Sequence, residues 1–198
     1  MKTTRPVPPR IGATALGYPR IGRRRELKRA LEAYWAGRGD VTALDRAGAD
    51  VRADTWGAFA SAGLTSVPTN TFSLYDQVLD TCLMLGVVPA RHSTVHGTDR
   101  IQGLDVTGYF ALARGTAEEP PLEMTKWFDT NYHYLVPEIG PETVFTLDPA
   151  KVLAEHGEAV AAGLDSRPVL VGPWTFLSSA KVTDSAPESF SPLDRLDD

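Results

Sequence analysis

The sequence predicts an α/β fold built on a parallel sheet. Short apolar runs bounded by glycine or proline alternate with longer amphipathic stretches, the pattern of strands joined by crossover helices. At 198 residues the chain fits one domain, or two only if both are small.

Residues 1–10 carry three prolines and two arginines and read as a mobile leader to a domain spanning 11–198. Ile11 to Tyr18 is apolar, is punctuated by Gly12 and Gly17, and reads as a short buried strand, with Pro19 and Gly22 forming the turn after it. Leu27, Ala30, Leu31 and Tyr34 then fall at i, i+3, i+4 and i+7, one face of a helix that Gly37 stops. Arg25, Lys28 and Arg29 lie on the opposite arc. A second helix is expected from Val41 to Ala62 on the apolar positions Leu44, Val51 and Phe59, with Gly63 ending it. Leu64–Val67 reads as a strand closed by Pro68. Ser73 is placed to cap a helix running to Leu85, with Asp76 as the capping-box acid.

Residues 108–114 and 123–128 read as short helical or irregular pieces, and Val144–Leu147 as a strand. Pro149 starts a helix to Ala162, and Arg167–Gly172 reads as a buried strand with a loop after it. Pro192-Leu-Asp-Arg-Leu begins a helix and stops. A complete (β/α)8 barrel takes about 250 residues. This chain, with its loops, is expected to hold about half of one and to be truncated.

The composition, 42% hydrophobic and 23% charged, is that of a soluble globular chain. No apolar stretch approaches the ~20 residues of a membrane span. A single cysteine, Cys82, excludes an internal disulfide, so the cytoplasm is the expected compartment. The net charge of −5 argues against general nucleic-acid binding, yet six cations and one acid, Glu26, lie between Arg20 and Arg29. A concentrated basic patch on an acidic chain suits a small specific anion. At a helix start, backbone N–H groups and the dipole favour an anion as well, and Arg25 and Lys28 stand one turn apart. The alternative is a solvated face paired with Glu26 and Glu32.

The segment Glu123–Glu138 gathers Trp127, Phe128, Tyr132, His133 and Tyr134 around Lys126, which suits either the wall of a cleft or an irregular core loop. Thr69, Asn70, Tyr75 and Asp76 follow a strand, where barrel sites are built, but turn and capping duties explain them equally well. His92 and His96 have no partner ligands, Cys82 falls on an apolar helix face, and no phosphate loop or nucleophile elbow is present.

Three stretches carry a resemblance: Leu16–Gly37 (LGYPRIGRRRELKRALEAYWAG), Val67–Asp80 (VPTNTFSLYDQVLD) and Glu123–Glu138 (EMTKWFDTNYHYLVPE), with a weaker fourth at Pro168–Leu177 (PVLVGPWTFL). Together they resemble the cobalamin-independent methionine synthases. The resemblance implies two face-to-face (β/α)8 barrels that move a methyl group from 5-methyltetrahydropteroyl-triglutamate to homocysteine. This chain would be the first part of the amino-terminal barrel, a partial TIM-type barrel. By the same resemblance Arg25, Glu26, Leu27, Lys28 and Lys126 contact the folate. Zinc, held by His, Cys and Glu, belongs to the carboxy-terminal barrel, so no cofactor and no catalysis are expected of this chain alone. Its expected partners are the triglutamate folate and the missing barrel as a separate chain, with no nucleic acid and no membrane. A stand-alone folate-binding or regulatory module is the alternative.

Overall fold

The computed structural model describes residues 12–198; the leader at 1–10 and Ile11 lie outside the described residues. In chain order the elements are α1 (Glu26–Trp35), α2 (Val41–Ser61), β1 (Val67–Thr69), α3 (Gln77–Met84), β2 (Arg100–Ile101), β3 (Leu104–Asp105) and α4 (Val106–Arg114). There follow β4 (Met124–Lys126), β5 (His133–Leu135), β6 (Glu138–Ile139), α5 (Ala150–Ala161), β7 (Ser166–Pro168), α6 (Pro173–Ser178) and β8 (Lys181–Val182). Single 3-10 turns stand at Ala90–His92 and Pro192–Arg195.

The class is α/β, but the described strands form four two-stranded sheets and not one parallel sheet. β1·β7 and β6·β8 are parallel; β2·β3 and β4·β5 are antiparallel. Each strand is two or three residues long, so each ladder is small.

The long helices follow their sequence signals. Asp40 caps α2 by accepting from the Ala43 N–H at 2.8 Å, and Gly63, at φ 81°, takes the left-handed conformation that ends it. Leu27, Leu31, Leu44 and Val51 pack with Leu79, Val106 and Tyr109 from α3 and α4 into the main core. A second cluster joins Val78, Cys82, Ile139 and Phe176, and a third joins Trp56, Phe59, Val67 and Ala159.

The strands depart from expectation. Residues 12–18 form no strand: the Thr65 N–H and hydroxyl both donate to one carbonyl, that of Ala13, and Leu16 is exposed. The strand expected at Leu64–Val67 lies at Val67–Thr69 and includes Pro68. Val67 N–H donates to Asp165 O and Val169 N–H to Thr69 O, so the ladder never needs the donor that Pro68 lacks. Pro68 O instead accepts from the Trp56 indole at 3.1 Å.

The helix expected from Ser73 begins after Asp76, whose carboxylate accepts from the N–H groups of Val78 and Leu79 at 2.7 and 3.0 Å. The same side chain reaches Leu135 N–H on β5 at 3.2 Å, a partner that Ser73 lacks. Residues 123–128 form half of a hairpin and no helix. Val144–Leu147 is not a strand; Thr146 and Asp148 donate to the carbonyls of Leu85 and Met84, tying this segment to the end of α3. The strand expected at Arg167–Gly172 is shorter and not buried, since Arg167 and Leu170 face solvent; α6 follows where a loop was expected. The final helix is a 3-10 turn held by a capping box between Ser191 and Asp194.

Between α5 and the loop after β1 lies a buried ionic cluster. Lys151 Nζ donates to Glu155 Oε1 at 2.6 Å, Phe72 O at 2.8 Å and Asn70 Oδ1 at 3.2 Å, and pairs with Asp80 at 3.2 Å. Burial would lower the Lys151 pKa, but the Asp80 and Glu155 carboxylates outweigh it and hold it above the usual range. Asp80 also accepts from the hydroxyls of Ser73 and Tyr109. Arg52, 4% exposed, pairs with Glu158 at 2.8 Å and ties α2 to α5.

Two outcomes follow. Lys151→Ala leaves two buried carboxylates facing each other and is expected to cost about 3–5 kcal/mol in urea unfolding, against under about 1 kcal/mol for the exposed Lys28→Ala. Burial pushes Asp76 up from 3.8 to about 6 despite its three N–H donors. Between those values the folded chain keeps a proton that the unfolded chain has lost, so this carboxyl favours folding at the acidic end of the window and less so as pH rises through 6. Unfolding titrations from pH 4 to 7 should show that slope in the natural chain and its flattening in Asp76→Asn.

Candidate functional site

The basic turn before α1 is held from several sides. The Arg20 guanidinium donates to the carbonyls of Ser73 and Leu74 at 3.2 and 3.4 Å, pinning the segment to the loop after β1. Gly22, at φ 83°, lets the chain reverse, and a Cβ there would collide with the Glu26 carboxylate. Arg25 then takes the left-handed conformation at φ 64°, ψ 37° as N-cap of α1, with no side-chain cap bond of its own. For a residue with a Cβ that conformation is strained.

The predicted residues divide by role. The Glu26 side chain folds back over the helix start and accepts from Arg24 N–H at 2.9 Å. Its own backbone N–H and that of Arg24 lower its pKa. Leu27 is fully buried, and its N–H donates to Ile21 O at 3.2 Å. These bonds occupy N–H groups that the sequence left open for an external anion, so positive charge at this turn comes from side chains more than from bare backbone donors. Arg25 and Lys28 are exposed; Lys28 pairs with Glu32 at 3.5 Å. Among the described residues Arg23, Arg24, Arg25 and Arg29 form no ion pair.

Lys126 stands apart, exposed on β4 opposite His133 on β5. The hairpin tip is braced by Thr130, whose hydroxyl donates to Trp127 O at 2.6 Å and accepts from Tyr132 N–H at 3.1 Å. Phe128 sits at the tip with φ 51° and is 72% exposed. Partial desolvation raises the Tyr132 phenol above its usual range although the residue stays partly exposed, and neighbouring Arg20 opposes it. Arg20 therefore lies beside both the hairpin tip and the turn leading into α1. No hydrogen bond or ion pair joins Lys126 to the first turn of α1 among the described residues.

The aromatic segment splits between wall and core. Trp127 packs edge-on against Tyr134 at 5.6 Å, and Tyr134 is buried while Phe128, Tyr132 and His133 are exposed. Trp127 also lines a cleft of about 460 Å³ with Tyr18, Asn70, Asp80 and Leu170. Asn70 and Leu170 follow the carboxyl ends of β1 and β7, where parallel-strand folds build their sites. Asp80 is the floor residue that the sequence reading missed; its placement depends on Lys151, 71 positions away, and no local pattern shows it. Asn70, at φ 57°, donates to Val169 O at 2.9 Å and joins the two loops, while Asp76 caps α3, so both serve structure. Beside the first turn of α1, Gly22, Arg23 and Glu26 line a dent of about 20 Å³.

No three His, Cys, Asp or Glu side chains among the described residues converge as metal ligands. His92 is buried against Pro120 O at 2.9 Å, His96 stands beside Asp105 at 3.3 Å, and Cys82 is sealed in the second core. This donor set does not fit the zinc that the resemblance assigns to the carboxy-terminal barrel. No described helix is long and apolar enough to cross a membrane.

The strain at Arg25 has a measurable consequence. Arg25→Gly is expected to raise the unfolding free energy by about 1 kcal/mol, since glycine takes φ 64° without the Cβ penalty. Arg25→Ala should give no such gain, and chemical denaturation of both variants checks it.

Comparison with known proteins gives a consistent result. The family model described as "Cobalamin-independent synthase, N-terminal domain" matches residues 12–198. The 5-methyltetrahydropteroyltriglutamate–homocysteine methyltransferase of Mycobacterium tuberculosis is 58% identical over 187 residues, 94% of this chain and 23% of that protein. The enzymes of the same name from Streptomyces avermitilis and Streptomyces griseus are 56% and 53% identical, over 93% and 98% of this chain. The chain spans 23–24% of the length of these relatives.

Proposed function

This chain belongs to the cobalamin-independent methionine synthase family, matching its N-terminal domain, and on that premise we propose that it binds the glutamate tail of 5-methyltetrahydropteroyl-triglutamate without performing methyl transfer itself. In this reading residues 11–198 are part of the amino-terminal (β/α)8 barrel of a two-barrel cytoplasmic enzyme. The parallel pairs β1·β7 and β6·β8, with α5 packed over β1 and β7, support a barrel-type arrangement.

The observation that carries the proposal is the construction of the first turn of α1. Glu26 and Leu27 are committed to holding the turn, the one by its cap and the other by its burial, while Arg25 and Lys28 stay exposed beside it. A strained, braced turn whose arginines form no ion pair among the described residues is suited to a ligand carrying carboxylates in series. Arg25 supplies a planar fork and Lys28 a mobile point charge. Lys28 gives up little on leaving Glu32, because an exposed i,i+4 pair is worth only a few tenths of a kcal/mol. Lys126, on its separate hairpin, would meet a different part of the same ligand. Methyl transfer from nitrogen needs a metal-activated thiolate, and that machinery is assigned to the rest of the enzyme.

Calorimetric titration of the chain with mono- and triglutamate forms of 5-methyltetrahydrofolate tests the reading. Arg25→Ala and Lys28→Ala should each weaken triglutamate binding by about 1.5–3 kcal/mol and leave the monoglutamate nearly unaffected. Equal losses for both ligands, or no binding of the triglutamate by the unmodified chain, would remove the tail assignment.

A further inference from the structure

We propose that Asp76 is a positioning residue for Lys126: its carboxylate fastens the β4·β5 hairpin to the short segment 73–76 that also receives the basic turn, and so fixes the separation between Lys126 and the cations of that turn. What Lys126 meets rests on the folate reading; the fastening does not.

The link runs through one segment with two sides. On one side Arg20, five residues before Arg25, donates to the carbonyls of Ser73 and Leu74. On the other, Asp76 Oδ2 accepts from the Leu135 N–H of β5 at 3.2 Å. The segment between is braced, since the Ser73 hydroxyl donates to Asp80 at 2.7 Å and the Tyr75 N–H to the Tyr109 hydroxyl at 2.9 Å. Leu135 stands opposite Met124 in the hairpin and His133 opposite Lys126, so Lys126 lies two residues along β4 from the fastened pair. The Tyr134 hydroxyl, bonded to Ser179 O at 3.0 Å, ties the same strand to the end of α6, which has no bond to the basic turn among the described residues.

The cap of α3 does not explain the whole carboxylate. Oδ1 alone takes the N–H groups of Val78 and Leu79 at 2.7 and 3.0 Å. The second oxygen, on a side chain only 1% exposed, goes to Leu135 and not to water. Asparagine would keep the cap oxygen and turn its NH2 toward the Leu135 N–H, donor against donor. A proton does part of the same. Because Oδ1 already serves two donors, the proton that arrives as pH falls through about 6 settles on Oδ2 and weakens the bond to Leu135. The titratable groups that face this carboxyl are Asp80 and Cys82 of α3, Tyr75 beside it, Tyr109 of α4, and Tyr132 and Tyr134 of the hairpin. Of the neighbouring cations, Lys151 is committed to Asp80 and Glu155, and Arg20 to the two carbonyls.

Amide hydrogen exchange followed by NMR reads the fastening without ligand. Asp76→Asn should speed exchange at Leu135 at least about tenfold and leave the capped N–H groups of Val78 and Leu79 protected. In the natural chain, exchange at Leu135, corrected for its intrinsic rate, should speed as pH falls through about 6, opposite in sign to what the same proton does to global stability. That run needs no variant, so it decides should Asp76→Asn fail to fold. Calorimetric titration with the triglutamate folate reads the consequence. Asp76→Asn should weaken binding about tenfold, add in full to Arg25→Ala, and cost nothing further on a Lys126→Ala background. Unchanged exchange at Leu135 in either run overturns the proposal whatever binding does. Faster exchange with undiminished triglutamate binding, or a loss that adds in full to Lys126→Ala, overturns it as well. A natural chain that binds no triglutamate removes the folate reading, and exchange at Leu135 then decides the fastening by itself.

Discussion

Lys151 brings together parts of the chain that share no other reason to meet. Its ammonium lies among Asp80 from α3, Glu155 from α5 and the backbone and side-chain oxygens of the loop after β1. Without that one cation, two largely buried carboxylates would be left without their shared counter-charge, a costly arrangement. The cluster sets where α5 lies over the β1·β7 pair. It also fixes the loop whose carbonyls at Ser73 and Leu74 receive Arg20, and through Arg20 it reaches the start of α1. The basic turn is exposed, but Arg20 ties its position to the loop that a buried ion pair holds.

The turn itself is built by division of labour among adjacent residues. Gly22 and Arg25 provide the positive-φ bends, Glu26 and Leu27 close the bonds, and the remaining cations are left outside. A helix start can attract anions through its own N–H groups, yet here the chain spends several of them on itself. What the turn presents outward is side-chain charge held close to a backbone that is bonded to itself.

The sequence conveyed helices better than strands, for a physical reason. α1, α2 and α5 are long enough for the 3.6-residue period to repeat, and each is followed by a residue whose backbone permits a stop. The strands are two or three residues long, too short for any period, and the partners of the two parallel pairs lie far off in sequence. Pro68 looked like a strand terminator because its missing donor is visible in the sequence, whereas the direction that donor would have faced is not. The hairpin at 124–135 escaped notice because its tip turns on Phe128, at φ 51°, with no glycine to signal it. Ser73 and Asp76 were equally good helix caps locally; the choice was made by Leu135, 59 positions from Asp76. In the same way the cations of the basic turn were legible, while the inward fold of the Glu26 carboxylate, which decides what the backbone can still offer, was not.

The parallel pairing of β1 with β7 also bears on the order of assembly. Asn70 and Val169, which meet at the end of that pair, are 99 residues apart along the chain. Closing a loop of that length costs roughly 4 kcal/mol in chain entropy before any contact repays it. The hairpin β4·β5, the α1–α2 pair and the α3–α4 region close over much shorter spans and can form while β7 is still searching. The β1·β7 ladder is thus the last piece that the chain has reason to complete, and a nascent chain from which residue 168 has yet to emerge would carry a formed basic turn without that ladder.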